Sequence, residues 1–123
     1  MIVEQSATTL EVGIDNLLNS AKADYVKRYG GDVNSDVAKK MIGQFSDGFV
    51  VKSGSKYVKI MCGNGGTPGG SCWGFVVKED TPKFKKGDIL KPAGWNKPAT
   101  NAARGNVLDG NYEIHWTGPV YLS

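Results

Sequence analysis

The hydrophobic period of this chain changes at Gly48, and that change limits what it can fold into. Ahead of it, Leu10, Ile14, Leu17, Leu18, Ala21 and Tyr25 recur at the spacing of one helical face. Beyond it come Phe49-Val50-Val51-Lys52, Tyr57-Val58-Lys59-Ile60-Met61-Cys62 and Cys72-Trp73-Gly74-Phe75-Val76-Val77-Lys78. These are short runs, rich in β-branched and aromatic residues, that read as strands. A sequence patterned for one period does not settle into the other. Residues 1–47 are therefore expected to be helical and residues 48–123 β-rich. The 123 residues suffice for one core and contain no linker that would divide them. The expected fold class is α+β, a single domain over 1–123 in which two N-terminal helices precede a twisted antiparallel sheet or a small β-barrel.

Local signals place the elements. Thr8-Thr9-Leu10-Glu11 reads as a capping box opening the first helix, and Gly30-Gly31 as its stop. A second helix is predicted from Ser35 to Phe45, with Val37, Met41, Ile42 and Phe45 on its apolar side and Gly48 ending it. The polar faces carry no clustered chemistry, so the helices read as a packing or oligomerisation element. Ser53-Gly54-Ser55-Lys56 is hairpin chemistry, and Gly63 to Gly70 reads as a flexible loop. Lys86-Gly87-Asp88 should turn the chain into a short strand ending at Leu90. The last strands are predicted over Tyr112–Thr117 and Val120–Leu122, separated by Gly118-Pro119.

Several function classes are disfavoured. No run approaches the ~18 apolar residues of a membrane span. The opening Met1-Ile2-Val3-Glu4-Gln5-Ser6 lacks the basic and apolar regions of a secretory signal, so a cytoplasmic protein is expected. Cys62 and Cys72 flank the glycine-rich loop; a disulfide is sterically possible there, but two reduced, half-buried thiols are expected. Two cysteines and one histidine fall short of the four ligands of a zinc site, and neither metal nor cofactor is expected. The glycine-rich loop has no Gly-Lys-Ser/Thr ending, carries Pro68 where a dinucleotide fingerprint has its third glycine, and leads into a strand, so a phosphate loop is not expected. His115 falls on the wet face of Tyr112-Glu113-Ile114-His115-Trp116, with no nucleophile placed beside it. The residues favour binding over catalysis.

The net charge of +3 is unevenly spread. Residues 1–47 carry seven acids and five bases, a balance of −2; residues 48–123 carry five acids and ten bases, a balance of +5. An anionic partner would be drawn to the β-rich part. Within it, Lys91-Pro92-Ala93-Gly94-Trp95-Asn96-Lys97-Pro98-Ala99-Thr100-Asn101-Ala102-Ala103-Arg104-Gly105-Asn106 is the informative stretch. Asn96 can cap a short helical turn that Gly105 ends. Trp95, Asn101, Arg104 and Asn106 would then form a compact set, joined by Lys91. An aromatic face can stack a base, amides can read its edge, and a guanidinium can hold a phosphate.

With Trp73–Lys78, Phe84–Lys91 and the ending Trp116-Thr117-Gly118-Pro119-Val120-Tyr121-Leu122, this stretch resembles a family of short bacteriophage-encoded proteins, mostly of unassigned activity. The shared signature is Lys91, Trp95, Pro98-Ala99 and Ala103-Arg104-Gly105-Asn106. The order of helices before a β core is also similar to phage sponges that sequester cyclic ADP-ribose-type signals of the Thoeris defence system. That second likeness implies a homo-oligomer in an infected bacterial host, binding a nucleotide-derived immune signal without cleaving it. Rival readings are a nucleic-acid-binding accessory protein, given Trp73, Phe75, Trp95 and Trp116 among the bases, and an inhibitor of a host protein. On the sponge reading, Arg104→Ala abolishes nucleotide binding in calorimetry while the circular dichroism spectrum is unchanged.

Overall fold

Two side chains start the helices, and each does so by accepting a hydrogen bond from a backbone amide left free in the first turn. Thr9 caps α1 (Leu10–Arg28) by accepting from the Val12 amide at 3.2 Å, and Ser35 caps α2 (Asp36–Asp47) by accepting from Ala38 at 3.1 Å. The cap of α1 is thus Thr9, one residue later than the capping box predicts, which leaves Glu11 in the first turn but out of box register. The helix ends at Tyr29 in extended backbone, so its termination does not depend on a left-handed glycine.

The computed structural model describes residues 1–64 and 67–121. After the helices come β2 (Val50–Ser53), β3 (Tyr57–Asn64), β4 (Thr67–Val77) and β5 (Ile89–Leu90), paired antiparallel in that order as one sheet. A hairpin of β6 (Pro92–Gly94) and β7 (Lys97–Pro98) follows. The third sheet places β8 (Tyr112–His115) between β1 (Ile2–Val3) and β9 (Gly118–Pro119). The fold is α+β with antiparallel sheets, and the sheets do not close into a barrel.

β4 organises the core because both of its faces are covered. Trp73 and Val76 join Val58, Ile60 and Ile89 in the main cluster, where α1 delivers Ile14, Leu17, Leu18 and Ala21 and the third sheet delivers Val3, Tyr112 and Ile114. Phe75 and Val77 face the other way and pack with Phe84 and Leu90. α1 comes close enough that a methyl group at Gly13 would meet the Val107 carbonyl oxygen at 2.7 Å. That approach requires glycine despite its helix-weakening entropy. α2 is held mainly through Phe45, which stacks on Tyr25 at 4.4 Å and meets Phe49 and Trp116 edge-on. Val37 and Met41 of its expected apolar face stay exposed, at 66% and 45%, because Ala38 is the residue turned inward.

Three expected segments differ. The loop over Gly63–Gly70 is largely strand: Gly63 and Pro68–Gly70 lie in β3 and β4, Gly69 donates to the Gly48 carbonyl at 3.0 Å, and Gly65 and Gly66 lie outside the described residues. The helical turn expected after Asn96 is instead the β6–β7 hairpin, with Trp95-Asn96 as its two-residue turn, and the chain from there to Gly105 is irregular, with a bend at Asn101. The final turn falls at Trp116-Thr117, so Gly118-Pro119 is paired strand; Leu122 lies outside the described residues. β1 was not foreseen, since two residues are too few to show a period.

The chain's most consequential buried polar group is Asp24, 1% exposed. It accepts from Arg28 Nε at 3.2 Å and from the Trp116 backbone N–H at 2.9 Å. Burial alone would raise its pKa, but the Trp116 amide, Arg28 and the Met1 nitrogen together hold it below the ordinary carboxylate value. With the folded pKa depressed, the stabilisation is present above the unfolded value and is lost as pH falls through the folded one. We expect Asp24→Ala to lose about 3 kcal/mol in urea denaturation at neutral pH. The gap from the native protein should narrow as pH falls below about 4, where unfolded aspartate protonates.

Candidate functional site

The residues expected to form one ligand set separate into three places. Asn106 is buried and saturated within the protein. Its Nδ2 donates to Asp88 Oδ1 at 3.0 Å and to the Lys86 carbonyl at 2.9 Å, and its Oδ1 accepts from the Leu108 and Asp109 amides at 2.8 and 3.1 Å. Gly105 beside it has φ +138°, and a methyl group there would meet Tyr112 Cβ at 2.5 Å. Arg104 and Gly105 also pair by backbone with Ile89. The Ala103-Arg104-Gly105-Asn106 signature is thus largely a structural clamp between the β5 turn and β8.

Arg104, Asn101 and Lys91 gather around the C-terminal segment. Arg104 donates to the Val120 and Ala102 carbonyls at 2.8 and 3.2 Å and to Asn101 Oδ1 at 3.1 Å. Lys91 Nζ donates to the Pro119 carbonyl at 2.7 Å and lies 4.0 Å from the Tyr121 ring centroid. Burial lowers the Lys91 pKa, and the nearby Arg104 charge lowers it further.

Trp95 stands apart from both groups, half exposed at the β6–β7 turn. Lys59 Nζ lies 3.7 Å from its ring centroid and donates to Asn96 Oδ1 at 2.7 Å, so β3 and the hairpin tip are tied by one ammonium. Beside this contact is a cleft of about 420 Å³ whose lining includes Lys52, Lys56, Tyr57, Lys59, Phe75 and Asn96. Register explains the concentration of charge: Lys52 of β2 is directly opposite Lys59 of β3, and Lys56 sits on the turn joining the strands. Among the described residues no carboxylate lines this cleft, and none of the three lysines is in an ion pair. Tyr57 packs edge-on against buried Phe75 at 5.9 Å, giving the cleft an aromatic wall. Glu79 and Asp80 line an adjoining hollow that shares Lys56 and Tyr57.

Sequence reasoning took Trp95 as a ligand contact but missed its lysine partners. The signal was present as Lys52, Lys56 and Lys59 about a hairpin turn; strand pairing brings Lys52 and Lys59 onto the same face.

The cysteines do not face one another. Cys62 is opposite Ser71 and packs on the main core, while Cys72 is opposite Met61 and packs on the second cluster, so the two lie on different faces. Both are free; burial pushes each thiol up, with the Cys62 thiol raised further by Cys72 and the Cys72 thiol eased by Lys59. Glu113 and His115 share a face as expected, 3.5 Å apart. Among the described residues no group of three or more His, Cys, Asp or Glu side chains could hold a metal, and no helix is long and apolar enough to cross a membrane. Asn106→Leu should cost about 1–3 kcal/mol in chemical denaturation, because it strands Asp88 and two backbone amides inside the fold.

No curated protein and no solved structure matches the chain. A family model matches residues 4–121, nearly the whole chain, and is described as a family of unknown function. The chain belongs to that family, DUF7717.

Proposed function

We propose that the protein binds a small anionic, aromatic ligand of the nucleotide class in the cleft between the β2–β3 and β6–β7 hairpins, and that it does so without catalysis. One observation carries the reading: Lys52 and Lys59 are placed directly opposite each other with Lys56 beside them, and no acid lines their cleft. Like charges directly opposite on a sheet are destabilising. A bound phosphate reverses that effect, because an oxyanion accepts charge-assisted bonds from all three ammonium groups. Tyr57 on the cleft wall supplies a face on which a base can stack, the half-exposed Trp95 stands next to the cleft across its Lys59 contact, and the Asn96 amide can read the base edge. The resemblance to phage sponges gives the ligand a biological class, a nucleotide-derived immune signal that is sequestered rather than consumed.

A second reading has its own support. Trp95 at the tip of a hairpin beside a row of lysines also suits single-stranded nucleic acid, which combines stacking with backbone neutralisation.

A thermal-shift screen against cyclic ADP-ribose isomers, cyclic dinucleotides and a single-stranded oligonucleotide separates the two. A ligand at a hundred times its dissociation constant stabilises by about 2.7 kcal/mol. We expect one small nucleotide to raise the midpoint with little salt dependence. Lys52→Ala combined with Lys56→Ala should weaken that binding at least about tenfold, the loss of one charged hydrogen bond or more, while leaving the unliganded midpoint unchanged or raised. A shift with the oligonucleotide alone, fading steeply with salt, would establish the second reading. Nucleotide binding unaltered in the double variant would remove the cleft from either.

A further inference from the structure

The geometry points to a second anion site, separate from the lysine cleft, at the C-terminal segment: a phosphate-class oxyanion bound by Lys91 in the cleft below Tyr121. This cleft measures about 340 Å³ and is lined by Lys91, His115, Thr117, Val120 and Tyr121, with Glu113 also on its wall. Lys91 and Arg104 hold consecutive carbonyls, of Pro119 and Val120, so two cations converge on one dipeptide. Among the described residues neither is in an ion pair; their partners are neutral carbonyls, the Asn101 amide oxygen and an aromatic ring.

Like charges brought together in a half-buried place are costly without a counter-charge, and among the described residues no carboxylate is paired with either cation. Glu113, the acid on the cleft wall, lies against His115 at 3.5 Å instead. Lys91 has three donors, of which one is used on Pro119, so its ammonium can still donate to an oxyanion. The Thr117 hydroxyl and the His115 ring offer further donors on the same wall. Arg104 acts from behind the segment: it fixes Val120 and adds positive potential.

Titration of the ¹⁵N-labelled protein with inorganic phosphate, and separately with AMP, followed by NMR, tests this. Saturable shifts are expected at the amides of Thr117, Gly118, Val120 and Tyr121 and at the Arg104 Nε–Hε. Lys91→Met should weaken them at least tenfold and Lys91→Arg should restore most of the affinity. Response to phosphate and AMP alike assigns free phosphate as a sufficient occupant, and response to AMP alone assigns an esterified phosphate; both uphold the site. Shifts that do not saturate, that persist in a folded Lys91→Met variant, or that are confined to the Lys52–Lys59 cleft overturn it. The native titration decides the matter even where Lys91→Met fails to fold.

Discussion

Asp24 is a carboxylate taken out of water on the inner face of α1, and the rest of the fold is arranged so that its charge is answered. An unanswered charge there would cost several kcal/mol. Its partners come from distant parts of the chain: Arg28 one turn along the helix, and the Trp116 amide 92 residues away. The helix can therefore dock in only one position against the β8–β9 turn. Trp73 reinforces the choice by donating its indole N–H to the Trp116 carbonyl at 2.9 Å, which ties that turn to β4. Tyr25, Phe45 and Trp116 close the junction from outside. With α1, β4 and the final turn fixed together, the position of every hairpin that leaves β4 is fixed as well.

That frame divides the β-rich half into parts with different duties. The residues about Gly105 and Asn106 bind the β5 turn to β8 through buried bonds and a positive φ that only glycine tolerates well. The hairpin turns lie at the surface and carry exposed cations and Trp95. Charge that the interior cannot accept is thus collected at the edges, in two clefts whose lysines form no ion pair among the described residues. A scaffold of this kind suits a preorganised binding site, since the lysines are aligned by strand register before any ligand arrives.

Much of the architecture was legible in the sequence. The switch from a 3.6 to a 2.0 period at Gly48 identified α1, the β2–β3 hairpin and β4, because burial on one helical face, or across a strand, leaves a direct imprint on residue choice. Elements of two or three residues, such as β1, β6, β7 and β9, have no period to read and are set by tertiary pairing. The site was legible in its residue types and less so in its grouping. Arg104, Asn101 and Lys91 do come together, whereas Asn106 is occupied within the fold and Trp95 joins Lys59 instead. The helical turn expected after Asn96 would have grouped them differently. Local capping rules favoured it, and pairing of Gly94 with Lys97 overrode them. The Lys52–Lys59 juxtaposition is a matter of register across a turn, which linear spacing only hints at.

The proposal that ligand is read at the hairpin tip is tested most directly by fluorine NMR of the protein labelled with 5-fluorotryptophan. The three tryptophans report on three places: Trp73 in the core, Trp116 at the helix–sheet junction and Trp95 at the lysine cleft. On titration with cyclic ADP-ribose, the Trp95 resonance is expected to shift saturably while those of Trp73 and Trp116 stay in place. A shift carried by Trp116 alone, or three unmoved resonances, would contradict it.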